Sequence, residues 1–174
     1  RVADIPLAEG TINGVRPGPR SVTWRGDVAA TLSWVQSLPS GRSTASKTEG
    51  KTPERDAWFT LAAPFREKPV EQQRFEWRVG TVLWGDDSFA LVTETWTATA
   101  TSRMWKVAPG QPGGAKVKVY ERKTEDRYGD PGRVVTGRDA RGRTVVQRSA
   151  DRTKIYLSGE GASPEGDRPF LDEW

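Results

Sequence analysis

The chain has 174 residues, with 27 lysines and arginines against 23 aspartates and glutamates, which gives a net charge of +4. Hydrophobic residues make up 34% of it, and 18 glycines bring the apolar content near that of an ordinary globular domain, so disorder throughout the chain is excluded. The sequence contains no cysteine and no histidine, which excludes disulfides, thiolate metal sites and every catalytic triad that uses histidine.

The basic surplus is spread along the chain rather than concentrated in one run. Lysine and arginine alternate with carboxylates in KVKVYERKTEDRYGD, and the densest basic stretch, GRDARGR, has only three arginines in seven residues. Nucleic-acid-binding proteins concentrate such charge on one face or run, so we expect no nucleic-acid partner. No apolar run approaches the roughly 18 residues of a membrane span, so no membrane contact is expected either. Because the chain begins with Arg1 rather than methionine, we expect a processed or excised piece.

In chain order, the local patterns predict strands and almost no helix. The strand signals are short runs rich in valine, threonine and aromatic residues, and glycines and prolines punctuate the chain between them. These runs are SVTW, ATLSWVQSL, AWFTLAAP, TVLWG, FALVTETWTATAT, RMWKVAP, KVKVYE, RTVVQ and KIYLSG. The sequence therefore predicts an all-β fold.

The strands repeat. The segment VTWRGD at 22–27 matches VLWGDD at 82–87, an offset of 60 residues that aligns Trp24 with Trp84. In both copies three further strands follow. They are 31–35, 58–64 and 70–75 in the first copy, and 90–94, 104–109 and 116–120 in the second. A third, weaker copy begins at Val134, turns at 139–142 and continues through 144–147.

Four strands per unit, with an aromatic residue ending the first strand, are typical of a β-propeller blade. We predict a β-propeller fragment with two complete four-stranded blades, residues 21–75 and 80–121, and a partial blade, residues 133–174 without a fourth strand. Residues 40–55 are a polar insertion. Since propellers close with about 4–8 blades, this arc leaves open edges, and we expect it to belong to a larger propeller or assembly. The eight tryptophans are interpreted as packing between blades, with Trp96 the most plausible exposed one.

Two motifs resemble catalytic or nucleotide-binding signatures, and both fail on inspection. The segment ASKTEGKT at 45–52 lacks the first glycine of a phosphate-binding loop and precedes Pro53. The segment GASPEG at 161–166 is one residue too long for a nucleophile elbow, and no histidine is present to activate Ser163. The acidic residues near Asp126 lack the ligand spacing of a calcium loop. We therefore predict no catalytic residue, no metal site and no cofactor in this chain.

Two polar loops stand out, EDRYGDPG at 125–132 and GEGASPEGDRP at 159–169. The first joins the second unit to the third, and the second is expected to follow the second strand of the third unit. In a four-stranded meander such connections emerge on the same face, so we expect both loops on one side of the molecule. They are either turns with self-contained ion pairs or a rim that faces an interface or a substrate.

Several segments, in order, resemble a known family. They are RVADIPLAEG, GPRSVTWRGD, LSWVQ, LAAPF, WGDDSFALVTE, TEDRYGDPG and GEGASPEGDRPFLD. Over almost the whole chain they are similar to the propeller domain of glutamyl endopeptidase-type serine peptidases of the prolyl oligopeptidase family, which occur in bacteria and in chloroplasts. The resemblance implies a parent enzyme whose propeller caps an α/β-hydrolase domain carrying the catalytic residues. The partners it implies are the rest of the propeller, that domain and peptide substrates. It leaves the compartment open between bacterial cytoplasm or periplasm and plastid.

Three arginines are the candidate substrate-binding residues, Arg103, Arg127 and Arg168, because the arginine side chain offers a planar fork of donors matched to carboxylates. Family members tend to carry further basic residues near the positions of Ala100 and Thr101. Here the hairpin keeps only Arg103, which argues against a preference for acidic residues. The chain is thus expected to gate peptide access and to contribute to peptide binding. The alternative is a propeller segment of a non-enzymatic scaffold, and a downstream GxSxG elbow distinguishes the two.

Overall fold

The computed structural model describes residues 15, 18–39, 52–86 and 88–174. Most of the polar insertion expected at 40–55 lies outside these residues. Within them the chain forms thirteen β-strands, one short 3₁₀ turn at Thr97–Thr99 and no α-helix, which confirms the all-β prediction. None of the described segments is a helix long and apolar enough to cross a membrane.

Eight strands form two four-stranded antiparallel sheets, each in sequential order. The first sheet comprises β1 (Pro19–Trp24), β2 (Thr31–Ser37), β3 (Asp56–Ala62) and β4 (Val70–Phe75). The second sheet comprises β5 (Arg78–Asp86), β6 (Phe89–Trp96), β7 (Thr101–Val107) and β8 (Val117–Lys123).

The two sheets share one construction. Trp24 pairs with the second residue of β2, and Trp84 pairs with the second residue of β6. The pairing of the third and fourth strands shifts between Trp58 and Phe59 in the first sheet. In the second sheet it shifts between Met104 and Trp105, the residues that the sequence repeat aligns with them. Since a β-bulge bends and twists its strand, both sheets are bent at the same place. Their placement in a closed propeller stays a prediction.

The C-terminal region contains five short strands. It contains β9 (Arg133–Val134), β10 (Thr136–Arg138), β11 (Thr144–Val146), β12 (Tyr156–Gly159) and β13 (Phe170–Glu173). Strands β10 and β11 form a hairpin, and β12 lies between β9 and β13. Loop 159–169 follows β12, which is the second strand of this three-stranded sheet in chain order, and β13 follows the loop. The assignment of residues 133–174 to a partial blade stays a prediction.

A compact turn sets the course of the chain between β11 and β12. The carboxylate of Asp151 accepts hydrogen bonds from the Ser149 hydroxyl at 2.6 Å and from the Thr153 backbone N–H at 3.1 Å. The turn reverses the chain after β11, so that Arg148 pairs with Ile155 and the chain continues as β12 beside β9. Loop 159–169 therefore connects two neighbouring antiparallel strands, β12 and β13.

The main hydrophobic core lies between the first and second sheets. Trp58 of β3 and Trp84 of β5 meet with ring centroids 5.3 Å apart, surrounded by buried residues from both sheets. The buried indole N–H of Trp58 donates to the Ser33 hydroxyl at 2.8 Å, so its polar atom is satisfied. Tryptophan packing between the repeated units, expected from the sequence, is present at this interface.

A second core lies between the second sheet and the C-terminal region. It contains Phe89, Leu91, Met104 and Val146. Successive side chains of a strand point to opposite faces. Residues 90 and 92 of β6 accordingly enter the core against the first sheet, whereas residues 89 and 91 enter this one. Four consecutive apolar residues in β6 thus reflect a strand that is covered on both faces.

Trp96, the tryptophan expected to be exposed, is not among the exposed ones. Trp24 is 58% exposed and Trp174 is 41% exposed, whereas Trp96 is half-buried with the guanidinium of Arg55 lying 4.0 Å from its ring centroid. Arg55, which the sequence placed in the polar insertion, is itself buried. Its backbone N–H donates to the Phe75 carbonyl at 2.7 Å. The backbone pairing of β3 with β4 therefore extends one residue beyond the strand, to residue 55, whose guanidinium lies over the ring of Trp96.

Candidate functional site

Loop 125–132 is held by its own aspartates. The carboxylate of Asp126 accepts the Gly129 backbone N–H at 2.9 Å, and that of Asp130 accepts the Gly132 N–H at 3.0 Å. Arg122 of β8 reaches over the loop and bonds the second carboxylate oxygen of Asp130 at 2.8 Å. Side-chain to backbone bonds of this kind are the local turn chemistry that the sequence indicated.

Loop 159–169 closes on itself at both ends. The Arg168 backbone N–H donates to the Gly161 carbonyl at 2.9 Å, and the Ser163 hydroxyl donates to the Gly166 carbonyl at 2.7 Å. Gly161 has a φ of 62°, and a Cβ added there would lie 1.9 Å from the Arg168 carbonyl oxygen. Glycine is therefore required at this position by both conformation and space.

The two loops lie against each other. Arg127 of the first loop and Asp167 of the second approach to 3.7 Å between Nη2 and Oδ1. Both loops, together with the ends of β9, β12 and β13, line an open cleft of about 480 Å³, which we call the loop cleft. Residues 132, 133, 158 and 161 lie on its walls. Two segments more than 25 residues apart in the sequence thus form one surface.

Two arginines, Arg127 and Arg133, and two carboxylates, Asp130 and Glu160, line the loop cleft. Arg127 is mostly exposed and has the single long contact with Asp167. Arg168, equally exposed, pairs with Glu165 at 3.1 Å within its own loop. Arg133, the first residue of β9, lies on the cleft wall, and no described carboxylate pairs with it. Sequence reasoning missed Arg133, because nothing in its local pattern separates it from other surface arginines.

Arg103 lies elsewhere, in a buried cluster on the second sheet. Its Nε donates to Glu94 at 2.6 Å and its Nη2 donates to Glu76 at 2.6 Å, while its guanidinium lies 3.8 Å from the centroid of the Trp77 ring. Burial disfavours the charge of Arg103, but the two carboxylates outweigh burial and raise its pKa above the ordinary value. Of the three predicted residues, only Arg127 lines the loop cleft. Arg168 lies in the adjacent loop 159–169 and pairs with Glu165 there, and Arg103 lies on the second sheet.

Nucleophile and metal chemistry find little support in the described residues. The hydroxyl of Ser163 is engaged with the Gly166 carbonyl, and histidine and cysteine are absent from the sequence. No group of three or more carboxylates in this part of the chain is placed to hold a metal ion. The loop cleft offers two arginine side chains and glycine-rich backbone, which are groups that bind carboxylates, beside the carboxylates of Asp130 and Glu160.

The fold and the loop cleft together define an all-β chain with stacked four-stranded sheets and an arginine-lined surface. Over 99% of its length the chain is 33% identical to an Arabidopsis thaliana protein described as "Probable glutamyl endopeptidase, chloroplastic". Over 98% it is 34% identical to a protein of Oryza sativa subsp. japonica with the same description. The chain spans 18% and 19% of the lengths of these two relatives. No protein-family model matches the chain, and no solved structure matches it significantly.

Proposed function

We propose that this chain is a non-catalytic β-propeller segment of a serine peptidase of the glutamyl endopeptidase type, in the prolyl oligopeptidase family. It gates the access of peptides to an α/β-hydrolase domain and contributes to their binding. The observation that carries the proposal is the similarity along nearly the whole chain to two proteins described as glutamyl endopeptidases. The two sheets of equal construction support the propeller, since blades repeat one four-stranded design.

The loop cleft is the surface where we propose that peptides are contacted. Arg127 and Arg133 lie on its walls. Arg127 has one distant carboxylate partner, Asp167, and Arg133 has none among the described residues. A peptide carboxylate that binds Arg127 competes with Asp167 for it, and in the cleft it also meets the carboxylates of Asp130 and Glu160. Arg103, by contrast, is held by Glu94 and Glu76, and we assign it to holding the second sheet together.

Peptide hydrolysis by the full-length protein tests this proposal. Losing one charge-assisted contact costs about 1.5–3 kcal/mol, so Arg127→Ala or Arg133→Ala should lower kcat/KM for a glutamate-containing peptide about 10- to 150-fold. The matched glutamine peptide should be cleaved as before. Arg66→Ala, which removes an exposed arginine outside the cleft, is the control. An equal decrease in kcat/KM for both peptides would mean that the loops have only a structural role. The absence of any peptidase activity in the full-length protein would favour the scaffold alternative.

A further inference from the structure

A second pocket lies where the ends of β1 and β5 meet the β10–β11 hairpin. Its volume is about 350 Å³, and it shares no lining residue with the loop cleft. We call it the strand-end pocket. Three arginines line it, Arg25 after β1, Arg138 at the end of β10 and Arg143 just before β11.

Two of these arginines already have a carboxylate. Arg25 donates from Nε and Nη2 to both oxygens of Asp27, at 2.9 and 2.6 Å. Arg143 donates from the same two nitrogens to one oxygen of Asp139, at 2.9 and 2.8 Å. Each pair is a two-point contact of the kind that arginine makes with carboxylates.

The third arginine has none. Arg138 donates from Nη1 to the Gly142 carbonyl at 2.6 Å, and no carboxylate in the described parts of the chain pairs with it. Three guanidinium groups therefore line the strand-end pocket, whereas Asp27 and Asp139, which pair with two of them, are outside its lining. The guanidinium of Arg138, which no described carboxylate pairs with, is the feature that points to a ligand.

The pocket also has donors that the chain leaves unused. The indole Nε1 of Trp84 and the Nη1 of Arg143 are buried and have no hydrogen-bond acceptor. Buried donors are rarely left unpaired, because leaving them so costs free energy. Neither atom is accessible to solvent, so a bound group reaches these donors only if the pocket wall shifts.

The remaining lining combines three threonines, Thr23, Thr136 and Thr144, with apolar residues. The ring of Trp24, 58% exposed, stands at the pocket, and Val82, Leu83 and Val145 form the wall. Apolar walls with a few placed polar groups are typical of sites for organic ligands. This combination suits a carboxylate attached to an organic body better than a bare inorganic anion.

We propose that the strand-end pocket binds the carboxylate of a peptide, with Arg138 as the anchoring residue. The carboxylate is either a free C terminus or an acidic side chain, and both present the same two oxygens to the guanidinium. The proposal does not depend on the loop cleft or on the proposed peptidase function, because the two pockets share no lining residue.

Calorimetric titration of the full-length protein tests the proposal. The probes are acetyl-Ala-Ala-Ala with a free C terminus, acetyl-Ala-Glu-Ala-amide, and acetyl-Ala-Gln-Ala-amide as the neutral reference. The variants are Arg138→Gln and Arg141→Gln. Arg141 lies on the same hairpin turn and does not line the pocket, so its loss changes the net charge equally.

We expect at least one of the two carboxylate peptides to bind and the neutral peptide to bind at least ten-fold more weakly. Arg138→Gln should weaken carboxylate binding ten-fold or more, whereas Arg141→Gln should change it less than two-fold. Preference for one carboxylate peptide identifies which source the pocket uses. Equal binding of the neutral peptide, no binding of either carboxylate peptide, or equal effects of the two variants would overturn the proposal. The titrations are carried out on protein that carries Arg127→Ala and Arg133→Ala, which removes the proposed carboxylate contacts of the loop cleft, so either proposal can fail while the other stands.

Discussion

Glu94 shows how much a single buried carboxylate can organise. It has no solvent exposure, and it accepts hydrogen bonds from the Trp77 backbone N–H at 2.6 Å, Arg103 Nε at 2.6 Å and Trp105 Nε1 at 2.5 Å. These donors come from β7 and from the segment before β5. Glu94 therefore ties that segment to the middle of the second sheet.

Glu94→Gln should destabilise the protein by about 3–5 kcal/mol, because the buried guanidinium of Arg103 loses its buried partner and keeps only the partly exposed Glu76. Glutamine also brings a donor into a site that already contains three donors. Urea unfolding followed by tryptophan fluorescence measures the loss. Glu76→Gln is the control, since Glu76 is 42% exposed and makes the outer half of the Arg103 pairing. It should cost less than about 1 kcal/mol, and equal losses in the two variants would contradict this account.

Asp86, at the end of β5, makes the free energy of unfolding depend on pH in the acidic range. Burial alone would raise its pKa, but hydrogen bonds from Ser88 and Arg152 and the nearby charge of Arg148 lower it from 3.8 to about 2. The folded chain therefore binds this proton less tightly than the unfolded chain. The resulting stabilisation is complete above about pH 4 and is lost as the pH falls toward 2.

Titration of the Asp86 carboxyl by NMR checks this directly. In Arg152→Ala the pKa of Asp86 should rise toward 3.8, because a hydrogen bond to the carboxylate is removed. Stability should then begin to fall at a higher pH than in the unmodified protein. An unchanged titration in the variant would show that Arg152 does not hold the charge.

Residue chemistry was predictable only where it is local. Arg127 and Arg168 were expected in polar turns, and both lie there, since the aspartates and glycines around them specify the loops. Arg103 was grouped with them, although its partners Glu76 and Glu94 and the ring of Trp77 bury it. Partners of this kind are brought together by strand pairing, which no spacing in the sequence reveals.

At the scale of strands, the sequence predicted the first eight elements well. Runs such as FALVTETW are rich in apolar, β-branched and aromatic residues, as strands are. The match at an offset of 60 residues located the two sheets. The C-terminal region was harder, because β9 has two residues and β10 and β11 have three each. Such short runs carry little pattern, and their partners are set by the turn at Asp151 and by contacts with the second sheet.

Gly26 fixes how β1, β5 and the β10–β11 hairpin approach one another. A Cβ at this position would lie 2.8 Å from the Thr144 carbonyl oxygen and 2.8 Å from the Trp84 Cβ. Gly26→Ala should therefore destabilise the protein by about 1–3 kcal/mol, as overpacking does. Thermal unfolding measures the effect. Gly80→Ala, where the nearest atom is 3.8 Å away, should be tolerated, and similar losses at both positions would argue against the close approach.

Over the whole molecule, the faces of the two four-stranded sheets are buried to different extents. The second sheet is packed on both faces, whereas the first sheet has a core on one face and exposed aromatic rings elsewhere. Trp24 and Phe65 lie 6.2 Å apart, centroid to centroid, and both are exposed. In the second sheet, the aligned Trp84 is covered by Trp58. Exposed apolar surface of this kind and unpaired strand edges favour association.

We therefore expect the 174-residue chain on its own to self-associate or to fold only partly. Sedimentation velocity should show species larger than a monomer at micromolar concentration. Trp24→Ser combined with Phe65→Ser should reduce them, because both changes remove exposed apolar area. Val146→Ser, which damages a buried position instead, should not. A monomer with a single cooperative thermal transition would contradict the expectation.

The two-sided burial of β6 has a consequence for how the molecule holds together. Its alternate residues belong to different cores, so opening this strand exposes apolar surface in both at once. Strand β1, at the edge of the first sheet, can separate without disturbing either core to the same extent. Regions with few buried contacts open at low free energy, whereas central strands open only with the whole fold. Fluctuations should therefore spread inward from the edges, with β6 the last strand to exchange its amide hydrogens with solvent.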